Sequence, residues 1–434
     1  MVKINKWLRE MNELNKNLKN NILGYGLIER YSKIECWRLR GFFFIGAYTH
    51  LNSGSNIWNA IVGRYSRIDS NVTVGFRIAE CNIFSNHYFA YAEGYIDTES
   101  YKALKANRFY YDKQNLTYIG NDVRVHQGSI ISAGVSIGDG AIIYPNSVVD
   151  TDVPPYAIVA GNPAQIIKYR FSEDVIKKIK KSNWFLSDLN CLEQSADYSD
   201  VDSILARLAD KKENKVRLEK YYVNSYTNEC SIKSFEKLVL GPSHVDIWQS
   251  LVNSGKRKQP EFLMHGVNGL SLYSKRLVNL IDFYIGNGLG DVVLFVPDFR
   301  IGNVILNSNG EISLDPLFIS KNKISSDSDN ELYKMALNIL DELVLKYRGK
   351  IKFIFWCLMG REYENKKLGR YVFDNQYRHP VWNYSEIKNR YFDNILEIPG
   401  IESDIEHCIH NNGTIHPNDR GYDVLEKHIL NRIF

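Results

Sequence analysis

Three side chains that could move a proton or attack a carbonyl stand where the regular patterning of this sequence is broken. His87 lies in an aromatic stretch, Ser243 follows an apolar run in a small-residue turn, and His416 precedes the last helical pattern. An imidazole can take the proton of a hydroxyl near neutral pH, and a serine with such a base beside it becomes a nucleophile. Acyl transfer to or from a hydroxyl is chemistry that these residue types can perform.

The element that must position His87 is a six-residue repeat of aliphatic side chains. Its main row consists of Ile119, Val125, Ile131, Ile137, Ile143 and Val149, and a second row four places on holds Val123, Ser129, Val135, Ala141 and Ser147. The same step occurs earlier at Ile45, Leu51 and Ile57 and, after a slip of one residue, at Val62, Ile68 and Val74. This period predicts a parallel β-helix, in which three hexads form one triangular coil.

Interruptions of the repeat predict the organisation around it. We expect a β-helix domain over residues 31–208, with a loop insertion at 82–117 that contains His87 and a helical tail at 171–208. Apolar residues at helical spacing predict a basic amphipathic helix over residues 1–30, which would cap the solenoid or associate peripherally with a membrane or a partner. The polar stretch 209–234 is predicted to be a linker.

Several stretches of this region resemble the hexapeptide-repeat acyltransferases, closest to their xenobiotic and polysaccharide O-acetyltransferase branches. The matching stretches are Ile119-Gly120-Asn121-Asp122-Val123, Ile137-Gly138-Asp139-Gly140-Ala141-Ile142-Ile143, Asn146-Ser147-Val148-Val149, Val153-Pro154-Pro155-Tyr156 and Ala160-Gly161-Asn162-Pro163-Ala164. The resemblance implies a left-handed β-helix, a homotrimer, and acetyl-CoA as the donor, held in the cleft between adjacent β-helices. It also implies transfer to a hydroxyl.

The resemblance also assigns roles to residues. His87 falls where the family has its catalytic base, with Asn86, Tyr88, Arg124 and His126 as acceptor-binding residues beside it. Residues implied for acetyl-CoA are Ser132, Ala133 and Gly134 along the pantetheine, Gly161, Asn162 and Ala164 at the adenosine end, and Lys168 and Arg170 at the phosphates. This chain has Arg124-Val125-His126 where the family commonly has Trp-Ile-Gly, a change that suits a different acceptor, and Gln165 where it often has lysine.

From residue 235 the sequence pattern changes to predicted strands that alternate with predicted helices. Strands are predicted at Lys237–Leu240, Asp291–Val296 and Ile351–Trp356, and helices at Leu270–Tyr284, Asn330–Arg348 and Gly421–Asn431. The alternation favours a second, α/β domain over residues 235–434 with a mainly parallel sheet.

The start and end of this domain resemble the SGNH hydrolases. Gly241-Pro242-Ser243 stands where that family has Gly-Asp-Ser, and Gly413-Thr414-Ile415-His416-Pro417 where it has Asp-x-x-His-Pro. The resemblance implies that Ser243 is a nucleophile and His416 its base. Pro242 and Gly413 replace the family's aspartates, which leaves Asn412 to orient the imidazole.

Composition excludes other classes. The 434 residues carry a net charge of +4, too little to favour nucleic acid as a partner. Six cysteines lie scattered without CxxC spacing, which predicts reduced thiols, a cytoplasmic location and no metal.

Taken together, the sequence predicts an acetyl-CoA-dependent O-acetyltransferase. The expected acceptor is a hydroxyl of a bacterial surface polysaccharide, of the capsule or O-antigen type, or of its oligosaccharide precursor. One alternative is a bifunctional acetyltransferase and carbohydrate esterase, with Ser243 and His416 active. Two others are detoxification of a small antibiotic and a non-catalytic trimeric scaffold for polysaccharide assembly.

Overall fold

The computed structural model divides the chain into two compact units, residues 1–234 and 235–434. The residues that it describes are 21–76, 116–187, 197–209, 218–233, 235–267, 270–286, 290–296, 304–306, 312–314, 326–356, 384–398, 408 and 417–431. Among these residues, no helix is long and apolar enough to cross a membrane.

The first unit consists of short strands followed by a helical tail and a hairpin. Its strands are β1 (Ile22–Glu29), β2 (Lys33–Ile34), β3 (Arg38–Ile45), β4 (His50–Leu51), β5 (Asn56–Val62), β6 (Arg67–Ile68), β7 (Thr73–Phe76), β8 (Thr117–Ile119), β9 (Arg124–Val125), β10 (Ile130–Ser132), β11 (Ser136–Ile137), β12 (Ile142–Ile143), β13 (Val148–Val149), β14 (Ala157–Gly161) and β15 (Ala164–Tyr169). The tail holds α1 (Glu173–Ser182) and α2 (Val201–Ala209), and the hairpin is β16 (Lys220–Asn224) with β17 (Glu229–Ile232).

Parallel pairing stacks these strands into a β-helix with three faces, each with one interior row of aliphatic side chains. The first face has Ile22, Leu39, Ile57, Val74, Ile131 and Val149. The second has Ile28, Ile45, Val62, Ile119, Ile137 and Val153. The third has Ile34, Leu51, Ile68, Val125, Ile143 and Val159. These rows form one core, so the prediction of a parallel β-helix from the six-residue period is confirmed.

Two predicted boundaries of the first unit are wrong. The helix expected over residues 1–30 is strand β1 from Ile22 onward, paired in parallel with β3, while residues 1–20 lie outside the described residues. Gly24 and Gly26 explain the difference, because they weaken a helix and let the two backbones touch: a Cβ on either would lie 2.0 Å or less from a carbonyl oxygen of β3.

The linker expected over residues 209–234 contains the β16–β17 hairpin, which pairs antiparallel with β1. Buried Tyr221, Tyr222 and Val223 favour a strand there, and the hairpin extends the sheet of the second face beyond the first coil, because β16 pairs with Tyr25–Glu29.

A buried ion pair ties the first coils together. The guanidinium of Arg64 donates from Nε and Nη2 to the two carboxylate oxygens of Glu29, at 2.6 and 2.7 Å, and both side chains are almost fully buried. Glu29 also accepts from the Ala47 amide, and Arg64 donates to the carbonyl of Phe185 in the tail. The pair therefore fixes β1, the third coil and the tail relative to one another.

The second unit is an α/β sheet with helices between its strands. The strands are β18 (Lys237–Gly241), β19 (Leu263–Gly266), β20 (Asp291–Phe295), β21 (Val304–Leu306), β22 (Ile312–Leu314) and β23 (Ile351–Ile354). Its helices are α3 (Ser243–Asn253), α4 (Lys275–Gly286), α5 (Ser326–Lys346), α6 (Tyr384–Arg390) and α7 (Asp419–Asn431). Strands β19, β18, β20 and β23 form, in this order, the parallel sheet that the sequence predicts.

Candidate active site

The insertion expected to carry His87 leaves and re-enters the β-helix at one corner, between the first and second faces. Strand β7 ends at Phe76, and β8 begins at Thr117. The amide of Ala133 donates to the carbonyl of Phe76 at 2.8 Å, and the amide of Gly134 donates to Thr117 Oγ1 at 3.2 Å. Phe76 and Thr117, the strand residues on either side of the insertion, are thus hydrogen-bonded to the next coil at Ala133 and Gly134.

The corner itself is lined by small side chains. Ser132, Ala133 and Gly134 follow one another there, and Gly134 has φ +83°, a conformation that costs little only without a Cβ. A wall without bulky side chains allows a narrow chain such as pantetheine to approach the backbone. These three residues therefore fit the role that the sequence predicts for them.

The other residues predicted to bind acetyl-CoA lie on the β14–β15 hairpin. Gly161 pairs with Ala164 across its turn, which contains Asn162, and Lys168 is exposed on β15. The turn follows the corner between the third and first faces. Within one copy of the chain, the predicted donor-binding residues are therefore divided between two corners of the β-helix.

Arg170 has a structural task that sequence analysis missed. Its Nη1 donates to Asp122 Oδ2 and to the Gly140 carbonyl, both at 2.8 Å, and its guanidinium lies over the rings of Tyr156 and Phe171. Burial raises the pKa of the Asp122 carboxyl, and the charge of Arg170 acts against that rise. These contacts attach the tail to the β-helix, and they leave Lys168 as the more exposed cation of the hairpin.

A polar cluster surrounds the predicted acceptor-binding residues Arg124 and His126. Arg124 Nη2 lies 3.2 Å and His126 Nδ1 3.3 Å from Asp69 Oδ2, while Arg67 Nε donates to Asp69 Oδ1 at 2.8 Å. Asn52 adds a weaker contact of 3.4 Å to Asp69 Oδ1. Asp69 and Arg67 escaped sequence analysis, because 55 residues separate Asp69 from Arg124 and only the coil register brings them together.

Five predicted site residues lie outside the described residues: Asn86, His87, Tyr88, Asn412 and His416. Their roles stay predictions.

Ser243 occupies the first position of α3, directly after β18, at the carboxyl edge of the parallel sheet. Gly266, which ends β19, lies close to the backbone of α3: an added Cβ would be 2.1 Å from the Asp246 amide nitrogen. The hydroxyl of Tyr422 in α7 donates to the His244 carbonyl at 3.0 Å. Since α7 begins three residues after His416, the structure brings the end of the domain close to the Ser243 turn.

Comparison with known families agrees with this geometry over the repeat. Residues 116–151 match the family described as "Bacterial transferase hexapeptide (six repeats)". The match implies that the coil is left-handed, as the sequence predicts. Over this part of the chain the protein is thus similar to hexapeptide-repeat transferases.

Individual relatives are acetyltransferases. A chloramphenicol acetyltransferase of Agrobacterium fabrum is 46% identical over 69 residues, which are 16% of this chain and 33% of that protein. A "Probable macrolide acetyltransferase" of Lysinibacillus sphaericus is 52% identical over 69 residues, 16% of this chain and 38% of that protein. The chain thus spans about a third of the length of these curated relatives.

Solved structures of the same type also align. A polySia-specific acetyltransferase has 21% identity and a TM-score of 0.26, covering 44% of this chain and 74% of its own. A hexapeptide-repeat acetyltransferase of Vibrio cholerae, solved with acetyl-CoA, has 17% identity and a TM-score of 0.24, covering 39% of this chain and 90% of its own.

Proposed function

We propose that this protein is an acetyl-CoA-dependent O-acetyltransferase that modifies a hydroxyl of a bacterial surface polysaccharide or its oligosaccharide precursor. The observation that carries the proposal is that Phe76 and Thr117, which flank residues 77–115, are hydrogen-bonded to Ala133 and Gly134. His87 belongs to that segment. A general base on this loop would work beside a small-residue wall suited to pantetheine.

The proposed reaction transfers the acetyl group directly between two bound substrates, without a covalent enzyme intermediate. A sugar hydroxyl gives its proton to His87 while its oxygen attacks the thioester carbonyl of acetyl-CoA. The tetrahedral intermediate collapses, its C–S bond breaks, and the proton on His87 passes to the departing thiolate. The products are the acetyl ester and CoA. Acetyl-CoA supplies the activated acyl group, so the chain needs only a base, an oxyanion donor and correct alignment.

The division of the donor-binding residues between two corners supports a site between copies. Ser132 to Gly134 lie at one corner of the first face, and Gly161 to Ala164 follow the opposite corner. One copy would contribute its insertion corner and the next its β14–β15 hairpin. We propose a homotrimer with three such grooves, in the cytoplasm, where acetyl-CoA is made.

Incubation of the full chain with acetyl-CoA and oligosaccharides tests the proposal. Release of free thiol that depends on an acceptor, together with an acetyl ester on the sugar, is expected. Absence of both with every acceptor, although acetyl-CoA binds, would favour the non-catalytic scaffold instead.

A second candidate function is a carbohydrate esterase in the second unit. The Tyr422–His244 hydrogen bond favours it, because it draws the start of α7 toward the turn that presents Ser243. Ser243 would attack an acetyl ester with His416 as base. Acetate release from an acetylated glycan, lost in Ser243→Ala and retained in His87→Ala, is the expected result; equal release by both variants and the wild type would contradict it.

A further inference from the structure

The third face of the β-helix carries a positively charged site around Asp69. Two adjacent coils place Arg67 and Arg124 in register, about one strand spacing of 4.8 Å apart. Both guanidinium groups bind the same carboxylate, and the side chain of Asp69 is only 14% exposed. One carboxylate cannot neutralise two arginines, so a positive charge remains at the surface.

Donor groups are left over at this site. Arg67 binds Asp69 through Nε alone, and Arg124 binds it through Nη2 alone. Among the described residues, both Nη atoms of Arg67 and Nη1 of Arg124 therefore have no hydrogen-bond partner. The two side chains are 52% and 43% exposed. His126 turns Nδ1 toward Asp69, which leaves Nε2 on the other side of its ring. Asp69 thus contacts all three side chains.

We propose that Arg67, Arg124 and His126 form a subsite for an anionic group, a carboxylate or a phosphate. Two neighbouring guanidinium groups offer the paired N–H donors that planar carboxylates and phosphates accept. Two other acids in this region are already paired, Glu35 with Lys33 and His50, and Asp122 with Arg170. Neither acid neutralises the arginines that contact Asp69. The positive charge there is therefore available to an anion.

Two sources can supply such an anion. The acceptor can be an acidic sugar, whose carboxylate would fix the orientation of the attacked hydroxyl. Alternatively, a phosphate of the donor can bind, because His126 lies on the same corner as the Gly161–Ala164 turn, two coils away. Either source rests on the proposed acetyltransferase function, but binding of the anion can be measured without any turnover.

Calorimetric titration of the full chain tests the subsite. The probes are tetragalacturonate, neutral maltotetraose, acetyl-CoA and its 3′-dephospho form. The double variant Arg67→Gln/Arg124→Gln should bind one anionic probe about tenfold more weakly than the wild type and leave maltotetraose unchanged. Weakening for tetragalacturonate assigns the site to the acceptor. Weakening for acetyl-CoA, absent with the 3′-dephospho form, assigns it to the donor.

Two further variants separate charge from folding. Arg390→Gln removes one guanidinium of similar exposure, 41%, from the second unit, and should bind every probe like the wild type. Asp69→Asn removes the opposing carboxylate and should retain or strengthen anion binding, which a merely disturbed coil would not do.

Three results would overturn the subsite. They are unchanged anion binding in the arginine double variant, weaker anion binding in Asp69→Asn, and no anion binding by the wild type. Thiol release from acetyl-CoA by the wild type, followed in the same preparations, reports separately on the proposed function.

Discussion

The amide of Ala133 donates to the carbonyl of Phe76 at 2.8 Å, which joins the last described residue before the insertion to the coil that follows it. Phe76 and Ser132 are also register partners in the sheet. The root of the segment that carries His87 is therefore part of the rigid β-helix. A base on such a loop can be held against a substrate lying along Ser132 to Gly134.

A bulky side chain at this corner should block the donor. Ala133→Trp keeps the backbone amide that binds Phe76 but fills the small-residue wall. We expect acetyl-CoA affinity to fall by about tenfold or more, equivalent to 1.4 kcal/mol, with little change in melting temperature. Calorimetry with acetyl-CoA, with circular dichroism as the folding control, checks this. Wild-type affinity in Ala133→Trp would place the donor elsewhere.

A groove shared between copies predicts complementation. His87→Ala should inactivate the insertion corner that one copy contributes to a groove. Lys168→Glu, which repels phosphate, should impair the β14–β15 hairpin that the next copy contributes. Co-expression of the two variants should restore transferase activity above that of either alone, because some grooves then combine two intact halves. Activity no higher than that of the better single variant would show that each site lies within one copy.

Removing one partner of the buried Glu29–Arg64 pair should destabilise the protein more than replacing both partners. Arg64→Met leaves the Glu29 carboxylate buried without its bidentate partner and should lower the free energy of unfolding by about 3–5 kcal/mol. The double variant Glu29→Gln/Arg64→Met should lose clearly less, because no buried charge is left unpaired. Urea denaturation of the wild type, Glu29→Gln, Arg64→Met and the double variant measures the coupling energy between the two side chains. Additive losses would mean that the pair does not interact.

Acid should destabilise the second unit through His265. Burial lowers the pKa of its imidazole from 6.5 to about 3 in the folded chain. The unfolded chain therefore takes up a proton below about pH 6.5 that the folded chain refuses, and stability falls as the pH is lowered from 6.5 toward 3. Between pH 7 and 5 this group should cost about 2 kcal/mol.

His265→Gln, whose amide can still accept from the Tyr284 hydroxyl that lies 2.7 Å from Nδ1, tests this prediction. The variant should lose less stability than the wild type between pH 7 and 5 in denaturant titrations followed by tryptophan fluorescence. Equal losses in both proteins would show that other groups set the acid response.

Periodicity predicted the β-helix because each aliphatic row repeats at a fixed step, and Ile119, Val125 and Ile131 lie on three different interior rows as expected. It missed β1, where Gly24 and Gly26 interrupt the pattern while allowing close strand contact. The Asp69 cluster and the Glu29–Arg64 pair escaped for another reason. Their members are distant in sequence and meet only through the register of the coils.

Steady-state thiol release tests whether His87 is the base of an acyl transfer to a sugar hydroxyl. The assay compares the wild type with His87→Ala and with His50→Ala, a β-helix histidine bound to Glu35. His87→Ala should lower kcat by about 100-fold or more while binding acetyl-CoA normally, and His50→Ala should match the wild type. Wild-type kcat in His87→Ala would show that His87 is not the base.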